Sequence, residues 1–382
     1  MSNVRIACLY LPSFALQVHV RDAPYRAGTA FAIIDGPLDD QGELIAPKRT
    51  VLVCSKAAWE LGVRPEMSAT QARALAPQCE FVPSDPTRYQ RALEALGEGL
   101  LALSVTVDIG SLQEKKPGSS TPRLRPHQSV YLRVPKRAQG DRFALKLMGQ
   151  LDKLGYRGRV GIADNRFTAW AAAKVPKKGP KESLFDKDYY TVPIGGSAAF
   201  LAPLPLDLLP LNDDIRSMLD TLGIHTLGDF AALPPPSVGR RWNEDGVDFQ
   251  SLAKGEGPIL LQGFSPRDQV IESIEMDHEI TDTEALGFSL RPLADRACAR
   301  LRGRSMAASR GALRLYGRAD VCTELNIEPS RPTLDGPRLF ELMRAVLQDR
   351  RLDHSVLKIE LCITEESDPE IEELQERIAR KL

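Results

Sequence analysis

Apolar runs and helical spacings alternate through the first third of the chain. "VRIACLYL" (residues 4–11) reads as a strand and "FALQVHVRD" as the helix that follows it. "FAIID" and "TVLVCS" read as the second and third strands. "AAWELG" is a short helix stopped by Gly62, and "SATQARALA" is another with Ser68 as its N-cap. "CEFVPSD" is a strand leaving into a turn. In "PTRYQRALEALGEGLLALS", Leu93, Leu96, Leu100 and Leu103 recur at helical spacing, the mark of an amphipathic helix. "VTVDIG" returns to strand. The polar "SLQEKKPGSSTPRLRPHQ" then reads as a hairpin tip or insertion, and "SVYLRVP" as the returning strand. "DRFALKLMGQLDKLG" is a helix, "RGRVGIA" a strand, and "DNRFTAWAAAK" a helix capped by Asp164.

Near residue 175 the composition shifts to "VPKKGPK", which marks a boundary. Residues 191–255 read as all-helical, and 256–270 as a linker punctuated by Gly and Pro. From 271 the order is strand, long helix, strand, strand, helix, strand, the β-α-β-β-α-β arrangement of a small domain. Residues 366–382 are charged and helical, with no apolar stripe long enough for a core.

Bulk properties narrow the function classes. At 382 residues the chain is long for one core, and two to four domains are expected. A net charge of −1 supplies no global field toward nucleic acid or membrane, so any nucleic-acid face must be local. The six cysteines (Cys8, Cys54, Cys79, Cys298, Cys322 and Cys362) contain no C-x-x-C pair, which argues against structural zinc and a disulfide scaffold. Cys8 lies on the apolar first strand and reads as core. The five histidines are isolated and take no role. With neither a signal peptide nor a membrane span, a cytoplasmic protein is expected.

Three segments in order carry a family pattern: "VLVCSKAAWELGVRPEMSATQARALAPQCEFVPSDPTRYQ", "VGIADNRFTAWAAAK" and "FLAPLPLDLLPLNDDIRSMLDTLGIHTLGDFAAL". They resemble the Y-family (UmuC/DinB-type) translesion DNA polymerases across about residues 4–365. The resemblance implies an α+β multidomain, right-hand-like fold. Residues 1–22 and 84–172 would form the palm, 23–83 the inserted fingers and 173–255 a helical thumb. Residues 256–270 would be a linker, 271–365 the β-α-β-β-α-β little finger and 366–382 a charged tail.

Nucleotidyl transfer uses carboxylates that hold two magnesium ions on the triphosphate and the primer end. By the resemblance, the two acids at the end of the first strand fall on Tyr10 and Pro12. The later Asp-Glu pair falls on Gln128 and Ser129. The fingers' Tyr and Arg fall on Lys56 and Trp59, the palm lysine on Trp170 and the aromatic steric gate on Ala15. All three family carboxylates would be replaced, and the triphosphate contacts with them. Asp108 survives nearby, but one carboxylate does not make a two-metal site. No metal or cofactor is expected. Trp59 and Trp170 replace cations, and as large aromatics they could plug a vacated cleft. Base stacking is the alternative reading for these two and for Trp242. In the thumb, the turn that would present backbone N–H groups to a phosphate falls on Pro210, Leu211 and Asn212, followed by Asp213 and Asp214. Little thumb contact with DNA is expected.

The chain is most similar to the ImuB group of non-catalytic relatives. These act in a bacterial damage-inducible mutagenesis cassette, joining an ImuA-like protein and an ImuC-type error-prone polymerase to the sliding clamp. The resemblance thus implies a scaffold with DNA, the clamp and those two proteins as partners, located in the cytoplasm at the nucleoid. The other readings are a diverged but active translesion polymerase and a protein-interaction module that never touches DNA. A clamp-binding peptide of type Q-L-x-L-F is not found through Leu382.

Residues 291–318 carry Arg291, Arg296, Arg300, Arg302, Arg304, Arg310, Arg314 and Arg318 against one acid, Asp295. Arg296, Arg300 and Arg304 recur at i, i+4 and share a helix face. Arg314 and Arg318 extend the run along the next strand. These arginines, Arg302 and Arg310 included, are expected to bind DNA phosphates, against the reading of a solvated charged face. Lys174, Lys177, Lys178 and Lys181 read as a solvated boundary segment.

Overall fold

The computed structural model describes residues 4–35, 49–114, 123–125, 127–136, 138–175, 188–266, 269–318, 321–348, 350 and 352–368. The tip of the long hairpin, Lys177, Lys178, Lys181 and the tail beyond 368 lie outside them.

In chain order the first part runs β1 (Arg5–Leu11), α1 (Phe14–Asp22), β2 (Phe31–Ile34), β3 (Val51–Cys54), α2 (Lys56–Glu60), α3 (Ala69–Leu75) and β4 (Glu80–Pro83). It continues with α4 (Pro86–Leu101), β5 (Val107–Asp108), the short pair β6 (Gln113–Glu114) and β7 (Arg123–Leu124), β8 (Gln128–Val134), α5 (Gly140–Lys153), β9 (Arg159–Ala163), α6 (Arg166–Lys174) and β10 (Tyr189–Thr191).

The palm sheet has the order β10-β9-β1-β8-β5. β1 is its centre, antiparallel to β8 on one side and to β9 on the other. Alternation along β1 divides its side chains between two apolar layers. Ala7, Leu9 and Leu11 enter the main core with Phe14, Leu93, Leu96, Leu100, Leu147 and Leu151 from α1, α4 and α5. Ile6, Cys8 and Tyr10 face the other way, where Ala169, Ala172 and Ala173 of α6 cover them. Fingers strands β2, β3 and β4 form their own sheet, ordered β3-β2-β4.

Local capping sets several helix starts. Ser55, Ser68 and Asp85 each accept a backbone N–H three residues on. The expected cap of α6 shifts by one residue. Asn165, not Asp164, accepts from the Thr168 N–H, while Asp164 pairs with Arg5 at 2.8 Å and accepts from the Gly195 N–H. An N-cap must reach N2 or N3, and Asn165 is the residue placed to do so. β10 was not anticipated; residues 173–255 were expected to be thumb. It is parallel to β9 and belongs to the palm sheet. At three half-buried residues it is too short to show alternation.

The thumb follows with α7 (Ser197–Leu201), α8 (Asp213–Thr221), α9 (Leu227–Ala231) and α10 (Pro235–Ala253) around Leu201, Leu219, Leu227, Phe230 and Val238. Trp242 packs against Phe230 in this core. The little finger is β11 (Val270–Ile280), α11 (Thr283–Arg304), β12 (Ala307–Tyr316), β13 (Cys322–Ile327), α12 (Gly336–Gln348) and β14 (Val356–Ser367), in an antiparallel sheet ordered β11-β14-β12-β13. Leu313, Leu315, Ile359 and Leu361 of this sheet pack against Leu290, Leu293, Leu339 and Met343 of the two helices. No helix among the described residues is long and apolar enough to cross a membrane.

Palm and little finger meet where α11 crosses α4. A Cβ on Gly303 would stand 1.7 Å from the Glu98 carbonyl oxygen, so only glycine permits this approach.

Candidate functional site at the end of the first strand

β1 ends in a turn whose Ser13 has left-handed backbone angles (φ 48°, ψ 46°), a region non-glycine residues seldom occupy. The strand register puts Tyr10 opposite both Ser129 of β8 and Arg159 of β9. Directly opposed residues share a face. The Arg159 guanidinium carbon lies 5.3 Å from the centroid of the Tyr10 ring. The His127 ring is 5.7 Å from that of Tyr10, and its Nδ1 accepts the Ser13 N–H at 2.9 Å. Burial raises the Tyr10 hydroxyl above its ordinary pKa, with Arg159 acting in the opposite sense.

One step along the strands, Cys8 stands opposite Tyr131. Arg166 lies over the Tyr131 ring at 4.3 Å and donates to Asp108 Oδ2 at 2.8 Å. Asp108, 4 % exposed, also accepts from the backbone N–H groups of Gly110 and Gln262. Burial pushes the Cys8 thiol up to about 12, which keeps it a neutral core group.

The linker is fastened along this side of the palm. Pro258 accepts from the Arg166 N–H, the Phe264 N–H donates to the Val107 carbonyl, and Leu261 is buried with Ile6, Cys8 and Tyr10.

This donor set does not fit a pair of magnesium ions. Tyr10 and Ser129 are neutral, Asp108 is already held by a guanidinium, and Arg159 adds a positive charge where a divalent cation would sit. Among the described residues, no three His, Cys, Asp or Glu side chains are grouped to hold a metal.

Other singled-out positions are dispersed. Pro12 is in the turn beside the site, its carbonyl accepting from Gln17. Gln128 is buried one position beyond Ser129, opposite Leu11 and so on the reverse face, with its Nε2 unpartnered. Ala15 is buried in the core with α1. Lys56 is almost fully exposed at the start of α2. Trp59 is 50 % exposed under the guanidinium of Arg64. It does not plug the cleft, because α2 is a surface helix of the fingers. Trp170 is half-buried against both the thumb core and the Tyr10 layer, with Lys174 over its ring. In the thumb, Asn212 caps α8 by accepting from Ile215, which sets Asp213 and Asp214 in its first turn.

The arginine run needs the largest correction. Arg296, Arg300 and Arg304 do share one face of α11, but that face is sealed against the palm rather than open to DNA. Arg300 is 6 % exposed and pairs with Glu98 of α4 at 2.7 Å and with Glu272 at 3.0 Å. Arg304 pairs with Glu98 at 3.1 Å and with Glu366 at 3.0 Å. Arg296 lies 3.5 Å from Glu272 and 3.9 Å from Asp22. Arg88 closes the edge on Asp22 at 3.0 Å and Glu275 at 3.3 Å. A buried guanidinium requires a carboxylate, and here the palm, β11 and β14 supply it.

The open sheet face is answered in kind. Arg310 pairs with Glu328 and Glu365, Arg314 with Glu324 and Glu360, and Arg318 with Glu279. Arg302 is exposed and donates to the Leu334 carbonyl, and Arg291 pairs with Asp295. Counting acids within 291–318 misses these partners, because they come from distant segments and neighbouring strands.

Comparison with known proteins places this geometry. Residues 9–174 match the model of the impB/mucB/samB family. The whole fold aligns with the insertion ternary complex of Dbh DNA polymerase at a TM-score of 0.53 and 15% identity, covering 94% of this chain and 98% of that one. The fold is that of the Y-family polymerases. Within that class, Protein ImuB of Caulobacter vibrioides (strain NA1000 / CB15N) is 26% identical over 291 residues, 75% of this chain and 58% of ImuB. DNA polymerase IV 1 of Bacillus subtilis (strain 168) is 25% identical over 277 residues, 72% of this chain and 62% of that protein. The matches span less than two thirds of either relative's length. Over these spans the chain is similar to ImuB and to the polymerases of this fold.

Proposed function

We propose that this chain is a scaffold for error-prone translesion synthesis during DNA-damage-induced mutagenesis, without polymerase chemistry of its own. It would hold DNA and join an ImuC-type polymerase and an ImuA-like partner to the sliding clamp. The observation that supports this reading is the end of β1, where Arg159 covers Tyr10 and Arg166 occupies Asp108. A guanidinium in that position opposes binding of divalent cations and accepts no proton from a primer hydroxyl. The likeness to ImuB supports the choice of partners.

The test combines two assays on the purified chain. With primer-template DNA, all four dNTPs and Mg²⁺, no extension is expected. In pull-downs, capture of the clamp, the ImuA-like protein and the ImuC-type polymerase is expected. Extension abolished by a single Asp or Glu substitution would overturn the reading in favour of a diverged active polymerase.

A further inference from the structure

We infer that the end of β1 is a metal-independent phosphate site built on Arg159, a reversal of charge rather than a mere loss of acids. The inference rests on the DNA-scaffold reading above and names the chemistry that site would recognise.

Arg159 is partly exposed and stacked on Tyr10, and among the described residues it pairs with no carboxylate. That sets it apart from Arg166, on the same side of the sheet, whose charge is met by Asp108. A guanidinium lying over a ring keeps its N–H edge turned outward and loses little freedom on meeting a phosphoryl group, which it can hold through two parallel bonds.

The surroundings favour the same ligand. Ser129 places a hydroxyl on that face, opposite Tyr10. His127 accepts the Ser13 N–H at Nδ1, which holds the turn after β1 beside the Tyr10 ring. The nine-residue α1 starts beside it with no acid in its first turn and no side-chain cap. The recognised group is therefore a phosphoryl dianion or phosphodiester, held with no bridging cation. It can come from a DNA strand or from a nucleoside triphosphate.

The experiment measures fluorescence anisotropy of a labelled primer-template with the full chain in EDTA, over a range of KCl concentrations. Wild type, Arg159→Ala and Arg159→Lys are compared, and thermal melting confirms that each is folded. The expected result is binding by wild type in EDTA, weakened about five- to ten-fold in Arg159→Ala, with a salt slope lower by about one. Arg159→Lys keeps the slope and loses a smaller part of the affinity. Unlabelled dATP in EDTA separates the sources: displacement of DNA assigns the site to a triphosphate, and resistance assigns it to the DNA backbone.

Wild-type binding that Arg159→Ala and Arg159→Lys leave unchanged would overturn this inference and leave the scaffold reading standing. Binding that requires Mg²⁺ would also overturn it. Absence of DNA binding with and without Mg²⁺ would overturn both.

Discussion

Arg159 and Arg300 meet opposite surroundings. Arg300 is sunk between α4 and α11 with carboxylates at 2.7 and 3.0 Å, whereas Arg159 lies partly open over an aromatic ring with no acid against it among the described residues. Burial explains the difference. Where water is excluded, a guanidinium persists only with its countercharge, and the result is a joint between domains. Where water reaches it, the charge remains available to a ligand. An arginine's role in this molecule thus follows from what answers it, not from how many stand together.

The widest separation between the two regions is expected from Glu98→Ala. It opens a void at the joint and takes one of two carboxylates from each of Arg300 and Arg304, which keep Glu272 and Glu366, at a cost of about 3 kcal/mol in urea unfolding. The triple change Glu98→Leu, Arg300→Leu, Arg304→Met should recover much of that loss. A Glu98→Ala variant as stable as wild type would mean that the joint does not hold the little finger.

Acid tests the same side of the molecule. His19 is buried against Tyr89, its Nε2 3.0 Å from the hydroxyl. Burial, helped by Arg88 and Arg26, lowers its pKa from 6.5 to about 4. The neutral ring is favoured in the fold, so its contribution is complete above 6.5 and is lost as the pH falls toward 4. The expected decline is about 2–3 kcal/mol, followed by unfolding at stepped pH, and His19→Phe should flatten it. Asp22 and Glu272 add a second loss at lower pH. Burial raises both, but the guanidiniums of Arg21, Arg88 and Arg296 around Asp22, and of Arg21, Arg296 and Arg300 around Glu272, outweigh it and hold them below their ordinary values. Their stabilisation is present above about 4 and disappears as the pH drops through the lowered values. Burial also weighs against the charge of Arg296, yet guanidiniums stay protonated at any physiological pH, so the carboxylates set this response.

Arg314→Ala sharpens the comparison from the exposed side. Its partners Glu324 and Glu360 lie on a solvated sheet, and the expected change is at most about 1 kcal/mol, with DNA affinity nearly unaltered. A several-fold loss of DNA binding in that variant would restore the sheet as a phosphate surface. The smallest effect is expected from Tyr10→Asp, which should yield no dNTP incorporation in a primer-extension assay. The new carboxylate would stand opposite Arg159 and pair with it rather than with a metal. Incorporation by that single variant would refute the account of the cleft.

Most elements of the fold were legible as apolar periodicity, and the β-α-β-β-α-β order of the last domain was read without the family. Of the positions the resemblance singled out, Tyr10 and Ser129 lie side by side, while Gln128 turns to the reverse face. The role of Arg296, Arg300 and Arg304 was not legible. Helical spacing identified their shared face but carries no information on what packs against it, and Asp22, Glu98, Glu272 and Glu366 are remote in the chain. Arg159 escaped notice for a related reason. It is one cation at the start of a strand, and it gains meaning only when β9 is laid beside β1.

The position of β1 in the sheet also governs how the protein can be made. The first element to leave the ribosome is the central strand, yet its neighbours are β8 and β9, and Asp22 pairs with Arg296 from the far side of the chain. At about 5–20 residues per second, Asp22 waits roughly fifteen seconds to a minute for that partner. The strand can enter its sheet once β9 has been made, and Asp22 already has Arg21 and Arg88, but Glu98 of α4 has no counterion until Arg300 and Arg304 arrive. The nascent palm is an incomplete unit whose last fastening arrives with the little finger, so shortening the chain from its C-terminal end would strip Glu98 of α4 of its guanidinium partners while leaving Asp22 with Arg21 and Arg88.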